Sequence, residues 1–362
     1  MKLLRPKKQR FIVFGILITL LYFLIKYLDQ DDPCTNLKIE KVNDDNQPLH
    51  GIFKHRLDRL KALCTYSLSK AATSLQSGTI LHSRNLFWLP KSRIVYCPVF
   101  KAASSTWFTK LLYLSGASQA VIKEAMKIHS EGGASPLQRI EYVGATRPLE
   151  KDWCEYVTSN HTRNLVSFMV VRHPFERLVS AYRDKLEKLA LPFYEAYGKE
   201  IVKKYREKAI SVFGTDFYDE SNNYGTLLKV ANGGRPNASL PTFWEFVQCV
   251  RENLCLNEHW MPIYKYCSVC HPIQLHTNPY ILKFELLNEE ESEFLKDVGW
   301  NEKINISIRL NENRVGKLSS ADITRLYFSI LSKDDILMLY EIYKHDFILF
   351  EYTFKIGQIA LP

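Results

Sequence analysis

The chain has 362 residues, 46% hydrophobic and 24% charged, with 15 glycines and 15 prolines, a balance that excludes a disordered or low-complexity chain. Its length allows one large domain or two small ones with a well-buried core, and no internal repeat is visible. The formal net charge of +9 includes five cations within the first ten residues, and the remaining excess of +4 excludes no class of partner.

The N-terminus "MKLLRPKKQR" carries Lys2, Arg5, Lys7, Lys8 and Arg10. From Phe11 to Leu28 there follow 18 residues whose only charge is Lys26. That stretch is close to the roughly 20 residues a helix needs to cross a bilayer, and Lys26 sits near its far end, where it can snorkel. No small-residue cleavage site follows, so the segment reads as an anchor that is kept. Cations before the span and Asp29, Asp31 and Asp32 after it place residues 1–10 in the cytosol and everything beyond 11–28 across the membrane. Three N-x-[ST] sequons, at Asn160, Asn237 and Asn305, agree with a secretory compartment. So does the even number of cysteines: Cys34, Cys64, Cys97, Cys154, Cys249, Cys255, Cys267 and Cys270. Disulfides are the expectation for these, with a connectivity that spacing does not reveal. A zinc site is the alternative, built on Cys267-x-x-Cys270 and His271, with Cys249 and Cys255 as the nearby second pair. Buried free thiols are the third reading.

Residues 29–87 read as a stem or linker, polar around "EKVNDDNQPLHG", with a helix from His55 to Ser69 in which Leu57, Leu60 and Leu63 recur at helical spacing. The compact domain is expected over 88–362. "SRIVYCPVF" reads as a short strand, and "STWFTKLLYLSG" as a helix ending at Gly116. "NLVSFMVV", Asn164 to Val171, is apolar on both faces, as a buried parallel strand must be. Pro174 then suits the first turn of a helix that runs towards Leu189. "NPYILKFELL", Asn278 to Leu287, is a third strand, and two helices, about 321–331 and 333–347, close the chain. This alternation predicts an α/β fold, a central parallel sheet flanked by helices, with ligands at the carboxyl ends of the strands.

Two loops lie at such ends. In Phe100–Thr106, Lys101 supplies a cation, Ser104, Ser105 and Thr106 supply hydroxyl donors, and Ala102 and Ala103 let a ligand approach the backbone at a helix N-terminus, which attracts anions. Alone, such a loop is also what a decorated helix cap looks like. In the second loop Arg172 closes the strand and Ser180 lies two turns into the helix, a guanidinium and a hydroxyl able to share one phosphate. The plain alternative is an arginine capping a strand and a serine facing a neighbouring helix. Further on, Lys199, Lys203, Lys204, Arg206 and Lys208 form either a solvated helix face or a track for a polyanionic partner. Across the membrane that partner is an acidic glycan and not nucleic acid.

Together the loops carry a resemblance. "KAASSTW" resembles K-V-G-S-T-N-W, and "VVRHPFERLVSAYRDK" resembles V-R-[ED]-P-F-E-R-L-[VI]-S-A-[YF]-R-[ND]-K. These are the 5′-phosphosulfate and 3′-phosphate loops of the Golgi carbohydrate sulfotransferase family, which includes the chondroitin and dermatan 4-O-sulfotransferases. "EHWMPIYKYCSVCHPI" and "YILKFELLNEEESEFL" are similar to that family's downstream block, so the resemblance runs from about Ile94 to Gly299.

The resemblance implies a P-loop-NTPase-like sulfotransferase fold and 3′-phosphoadenylyl sulfate (PAPS) as donor. It also implies type II topology in the Golgi membrane with the catalytic domain in the lumen. The acceptor would be a glycosaminoglycan or glycoprotein glycan, most directly O-4 of GalNAc in chondroitin or dermatan. Terminal GalNAc or glucuronic acid on glycoproteins is the alternative acceptor, and a catalytically dead glycan-binding relative the alternative class. A P-loop kinase is disfavoured because no Gly-Lys-[ST] occurs. No metal site is apparent, and transfer is expected to need none.

On this reading Phe100 to Thr106 hold the phosphosulfate and Lys101 stabilises the leaving oxygen. The run Arg172, His173, Pro174, Phe175, Glu176, Arg177, Leu178, Val179 and Ser180 forms the 3′-phosphate loop, with Arg172 and Ser180 as its ligands. Phe175 packs near the adenosine or in the core. His259 is the candidate base, with Glu258 placed to orient it, while Glu124, His129 and Glu258 remain open for that role. The sequence departs from the family at Ala103, where a glycine is usual, at Ser105 and Thr106, and at His173, where an acid is usual and a solvent-facing side chain is expected. Alanine at 103 matters only if the position needs a positive φ.

Overall fold

The structure, a computed structural model, describes residues 51–69, 82–130, 150–158, 164–187, 190–214, 240–304, 318–356 and 359–361. The segment 11–28 and the sequons at Asn160, Asn237 and Asn305 lie outside these residues. Among the described residues no helix is long and apolar enough to cross a membrane.

The first half of the chain holds α1 (Gly51–Ser69), β1 (Phe87–Leu89), β2 (Ile94–Cys97), α2 (Ser104–Leu114), α3 (Gln119–Ser130), α4 (Glu150–Thr158), β3 (Val166–Val171) and α5 (Pro174–Tyr182). The second holds α6 (Lys199–Phe213), α7 (Phe243–Arg251), α8 (Ile263–Tyr266), α9 (Pro272–His276), β4 (Tyr280–Lys283), α10 (Leu287–Asp297), α11 (Ser320–Phe328), α12 (Lys333–Leu349), β5 (Phe354–Ile356) and β6 (Ile359–Leu361). Two π-helical turns, Arg183–Glu187 and Tyr194–Gly198, lie between α5 and α6.

The main sheet has the order β1-β2-β3-β4. Strands β2, β3 and β4 are parallel, in register at Tyr96 with Phe168 and at Met169 with Ile281. β1 runs antiparallel to β2, so the sheet is mixed and not wholly parallel as expected. The reason is the connection. Only a turn through Pro90–Ser92 and Arg93 separates the two strands, and a parallel crossover needs a dozen or more residues. The central strand β3 is buried along Ser167–Val171, as its apolar residues demand, and the one polar side chain, Ser167, accepts a hydrogen bond from Thr277 Oγ1 at 2.9 Å. Trp107 from α2 and Phe294 from α10 pack on Phe168 at ring distances of 4.7 and 5.2 Å, so the helix that follows the first loop is seated on the middle of the sheet. α2 ends at Gly116, whose φ of 76° lets Ala117 N–H reach Leu112 O at 3.1 Å and closes the helix.

The helix expected inside the stem is α1, and the folded body takes it in. Phe53, Leu57, Leu60 and Cys64 are buried. Arg56 donates to Ile281 O at 2.7 Å and forks onto the Glu290 carboxylate, with both side chains buried. Cys64 is bonded to Cys270, and Cys97, the last residue of β2, to Cys267. The C-x-x-C therefore serves two separate long-range disulfides. Cys249 pairs with Cys255, Cys154 is also disulfide-bonded, and the sulfurs of the zinc alternative are spoken for. His271, its third candidate ligand, caps α9 by accepting Ile273 N–H.

Breaking one side of a buried ion pair leaves the other charge uncompensated, at a cost of roughly 3–5 kcal/mol. Arg56→Ala is therefore expected to lower stability by about 3 kcal/mol in urea unfolding under non-reducing conditions, where a dispensable stem helix loses almost nothing.

Candidate active site

The first loop leaves β2 at Cys97 and turns into α2 at Ser104. Lys101 and Ala103 both have positive φ, 68° and 60°. Position 103 is therefore one where glycine is at ease and alanine is strained. Ala103 offers no side-chain cap to α2, and the first amide of that turn with a loop carbonyl is Trp107 N–H, 3.0 Å from Ala103 O. The amides ahead of it lie at the positive end of the helix. Ser104 is buried, and its hydroxyl makes no hydrogen bond among the described residues.

The second loop is tied to the first by two guanidinium groups. Arg172 donates to Lys101 O at 2.8 Å and to Ser320 Oγ at 2.6 Å, lies over the Phe284 ring at 4.4 Å, and keeps a buried Nε without a partner. Arg177, fully buried, donates to Phe100 O at 2.9 Å, Met261 O at 2.8 Å and Glu258 O at 3.1 Å. It is a crosslink and presents no edge to a ligand. Ser180 is half-exposed, one helical turn beyond Glu176, and its hydroxyl makes no hydrogen bond among the described residues. Of the run 172–180, Pro174, Phe175, Leu178 and Val179 are buried. Phe175 packs on Phe328, Phe347 and Phe354 and is core.

His173 does not face solvent. Its Nε2 donates to Thr353 O at 3.0 Å and its Nδ1 accepts Glu176 N–H at 3.4 Å, so the imidazole caps α5 as a carboxylate would and also holds the C-terminal segment. Glu285 takes the His173 backbone N–H at 2.7 Å. Burial pulls the His173 pKa below its ordinary value, which keeps the neutral form that this dual role requires.

Lys101 points to Asp184 in the π-helical turn, with Nζ to Oδ2 at 3.1 Å. Burial lowers the Lys101 pKa against the opposing pull of Asp184. Burial acts to raise that of Asp184, but the charges of Lys101 and Lys185, with their hydrogen bonds, outweigh it and bring it down to about 2. His259 stacks on Phe100 at 4.6 Å. Asn257 Oδ1 accepts the His259 backbone N–H at 2.9 Å and lies 2.8 Å from His259 Nδ1. An oxygen that already accepts one N–H fixes the tautomer: Nδ1 carries the proton and Nε2 is a bare acceptor. Asn257, not Glu258, orients the ring. Glu258 contributes its backbone carbonyl to Arg177. Burial, with Lys185 and Lys101 nearby, pushes the His259 pKa down to about 2. Glu124 lies exposed on α3, and the His129 side chain is outside the described residues.

The sequence reading passed over Asn257, Asp184, Lys185, Ser320 and Glu285. Asn257 stands one residue before the quoted "EHWMPIYKYCSVCHPI" and the Asp184–Lys185 pair at the end of the quoted "VVRHPFERLVSAYRDK", but nothing in their spacing tells which way they face. In the basic run of α6, Lys199 pairs with Glu195, Lys204 with Glu252 and Arg206 with Glu245, so much of its charge is already matched.

Strain at Ala103 has a measurable consequence. Ala103→Gly relieves about 1 kcal/mol of left-handed strain and adds a similar unfolded-state entropy, so thermal unfolding should move little. Ala103→Val puts a β-branched residue at the same φ and should lose roughly 2 kcal/mol.

With this geometry in place, the family model described as "Sulfotransferase family" matches residues 84–353. The chain is similar to carbohydrate sulfotransferase 11 of Rattus norvegicus, 26% identical over 266 residues, 72% of this chain and 64% of that protein. It is similar to carbohydrate sulfotransferase 8 of Mus musculus, 25% identical over 306 residues, 84% of this chain and 64% of the relative. It also resembles carbohydrate sulfotransferase 9 of Homo sapiens, 27% identical over 267 residues, 73% of this chain and 52% of the relative. The chain thus spans less than two thirds of the length of these relatives, and no solved structure matches it. A family match over well more than half of the chain establishes that the chain belongs to the sulfotransferase family.

Proposed function

We propose that the protein is a carbohydrate sulfotransferase that moves the sulfuryl group of PAPS to a glycan hydroxyl, with O-4 of GalNAc in chondroitin or dermatan as the acceptor position. The observation that carries this reading is the joining of the two loops into one cationic site. Arg172 holds the backbone of Lys101 while keeping a buried Nε unpartnered, and the Ser180 hydroxyl is unengaged on α5, which follows it. These residues fit a donor bearing two separate anionic groups. The start of α2 with Lys101 and Ser104 receives the phosphosulfate, and Arg172 with Ser180 receives the 3′-phosphate. The names of the similar proteins support a carbohydrate acceptor. A Golgi setting, anchored through residues 11–28 with the catalytic part in the lumen, follows from the sequence reading and belongs to the same proposal.

The donor supplies a sulfuryl group whose transfer forms a bond from the acceptor oxygen to sulfur and breaks the bond to the phosphate oxygen, releasing 3′,5′-ADP. The residues of the chain do the rest. Lys101 places an ammonium against the charge that grows on the leaving oxygen, in a site dry enough for that charge to count. His259, with Nδ1 held by Asn257, presents Nε2 to take the acceptor proton. Asp184 keeps the Lys101 side chain in place before the donor arrives.

The test is transfer of ³⁵S from labelled PAPS by the full chain in detergent to desulfated chondroitin, desulfated dermatan and heparosan, followed by disaccharide analysis. Label at O-4 of GalNAc is expected, and Lys101→Ala should lower kcat by about 10²–10³-fold, the loss that removal of one such charge-stabilising donor brings. Label on glycoprotein acceptors alone would move the acceptor assignment, and no label despite donor binding would favour the inactive glycan-binding relative.

The tautomer and low pKa of His259 set a pH dependence. A histidine of ordinary pKa near 6.5 is mostly protonated at pH 5 and useless as a base, with kcat/KM falling about tenfold per pH unit below 6.5. His259 stays neutral down towards pH 2 in the free protein. The value of kcat/KM, which reports the free protein, should therefore remain level between pH 7 and pH 5.

A further inference from the structure

We propose that Lys185, with the half-exposed ring of Phe193, forms an acceptor subsite for an acidic sugar, its ammonium binding the sugar's carboxylate beside the His259 imidazole. The proposal rests on the sulfotransferase reading above. The observation behind it is a surplus of cations at one oxygen. Lys185 Nζ lies 3.1 Å from Asp184 Oδ2, the same atom that Lys101 Nζ meets at 3.1 Å, so one carboxylate is shared by two ammonium groups. Each ammonium has three donors and gives one to Asp184, which leaves both able to bind a further anion without breaking the pair.

Their positions divide the work. Lys101 belongs to the first loop, at the start of α2, where the donor's phosphosulfate is expected. Lys185 belongs to the π-helical turn after α5, a kind of helical irregularity that recurs at functional sites. It is also the cation that acts most strongly on the His259 ring, ahead of Lys101. Both Lys185 and the His259 ring lie against Phe193, so Lys185 stands on the side of the site where the base meets the acceptor.

Phe193 stands between the two. Lys185 Nζ sits 4.7 Å over its ring, and the ring meets His259 edge-on at 5.0 Å. Leu191, two residues before it, is 62% exposed. A half-exposed aromatic ring with an exposed apolar neighbour suits the C–H face of a pyranose, and the ammonium over that ring suits a uronate carboxylate. Asp184 is the acid that meets both lysines among the described residues. Its charge is matched by the two lysines, and the cluster keeps a net positive charge to offer an anion.

The probe is a desulfated chondroitin oligosaccharide and the same oligosaccharide with its uronate carboxylates reduced to alcohols, which keeps every acceptor hydroxyl and removes only the charge. Both binding to the 3′,5′-ADP-loaded full chain, by calorimetry, and transfer from PAPS are measured. The expected result is that the wild-type protein prefers the acidic oligosaccharide and that Lys185→Gln cuts this preference about tenfold, with 3′,5′-ADP affinity held within about threefold. Lys203→Gln/Lys208→Gln, on the exposed face of α6, should keep the preference. Phe193→Leu should weaken both oligosaccharides alike. Equal binding of the two oligosaccharides by wild type, or a preference that survives Lys185→Gln, would overturn the subsite. Loss of preference in the α6 double variant instead would assign the charge recognition to that helix. Failure of wild type to transfer to either, with binding preference intact, counts against the sulfotransferase reading and not against the subsite.

Discussion

Everything at this site hangs on the guanidinium of Arg177. It is buried with no carboxylate bonded to it, and it is made tolerable by three carbonyl oxygens, those of Phe100, Glu258 and Met261. A buried charge without such acceptors is expensive, so the three segments carrying these carbonyls are held to one arrangement. Those segments are the donor loop, the residue before the candidate base and the one after its tryptophan neighbour. Arg177 itself sits on the helix of the second loop. One side chain therefore fixes both loops and the His259 segment together, and Arg172 repeats the tie one turn earlier through Lys101 O.

Covalent and polar links extend the same assembly outward. The Cys97–Cys267 disulfide joins the strand end where the donor loop begins to the segment following His259. Asp346 of α12 accepts the amides of Ile263 and Tyr264 at 2.7 and 2.9 Å, and burial raises its pKa to about 6 despite those bonds. The strain of Lys101 and Ala103 at positive φ is sustained by this surrounding frame and not by the loop itself. Such a frame costs stability in the loop and returns a cation and helix amides already aimed at an anion, which is what electrostatic stabilisation of a transferring group needs.

What was legible in the sequence follows the physics of each element. A short, mostly apolar run such as Val166–Val171, broken only by Ser167, reads as a strand covered on both faces, and the β2, β3 and β4 assignments rest on runs of that kind. The positions of the two loops at strand–helix turns were readable from the sequence; that they hold anions is the proposal, drawn from the lysine, hydroxyls and arginine they carry. The antiparallel edge β1 was not, since Phe87–Leu89 has too few residues to show a period. His173 was misread because replacement of an acid suggested a surface position, whereas an imidazole with one donor and one acceptor nitrogen serves as cap and latch at once. Asn257 and Lys185 were invisible as parts of the site: Asn257 lies two residues from His259 and Lys185 beside Asp184, but spacing does not show which way such side chains turn, and Asp184 meets Lys101 only after the chain has folded across some eighty residues.

The central claim is that both anion loops are assembled before the donor arrives, held by Arg172 and Arg177. A crystal structure of the protein with 3′,5′-ADP tests this directly. The account predicts the 5′-phosphate at the start of α2 against Lys101 and Ser104, the 3′-phosphate at Arg172 and Ser180, and Arg177 still bound to the carbonyls of Phe100, Glu258 and Met261. A nucleotide seated elsewhere, or loops rebuilt with Arg177 released from those carbonyls, would contradict it.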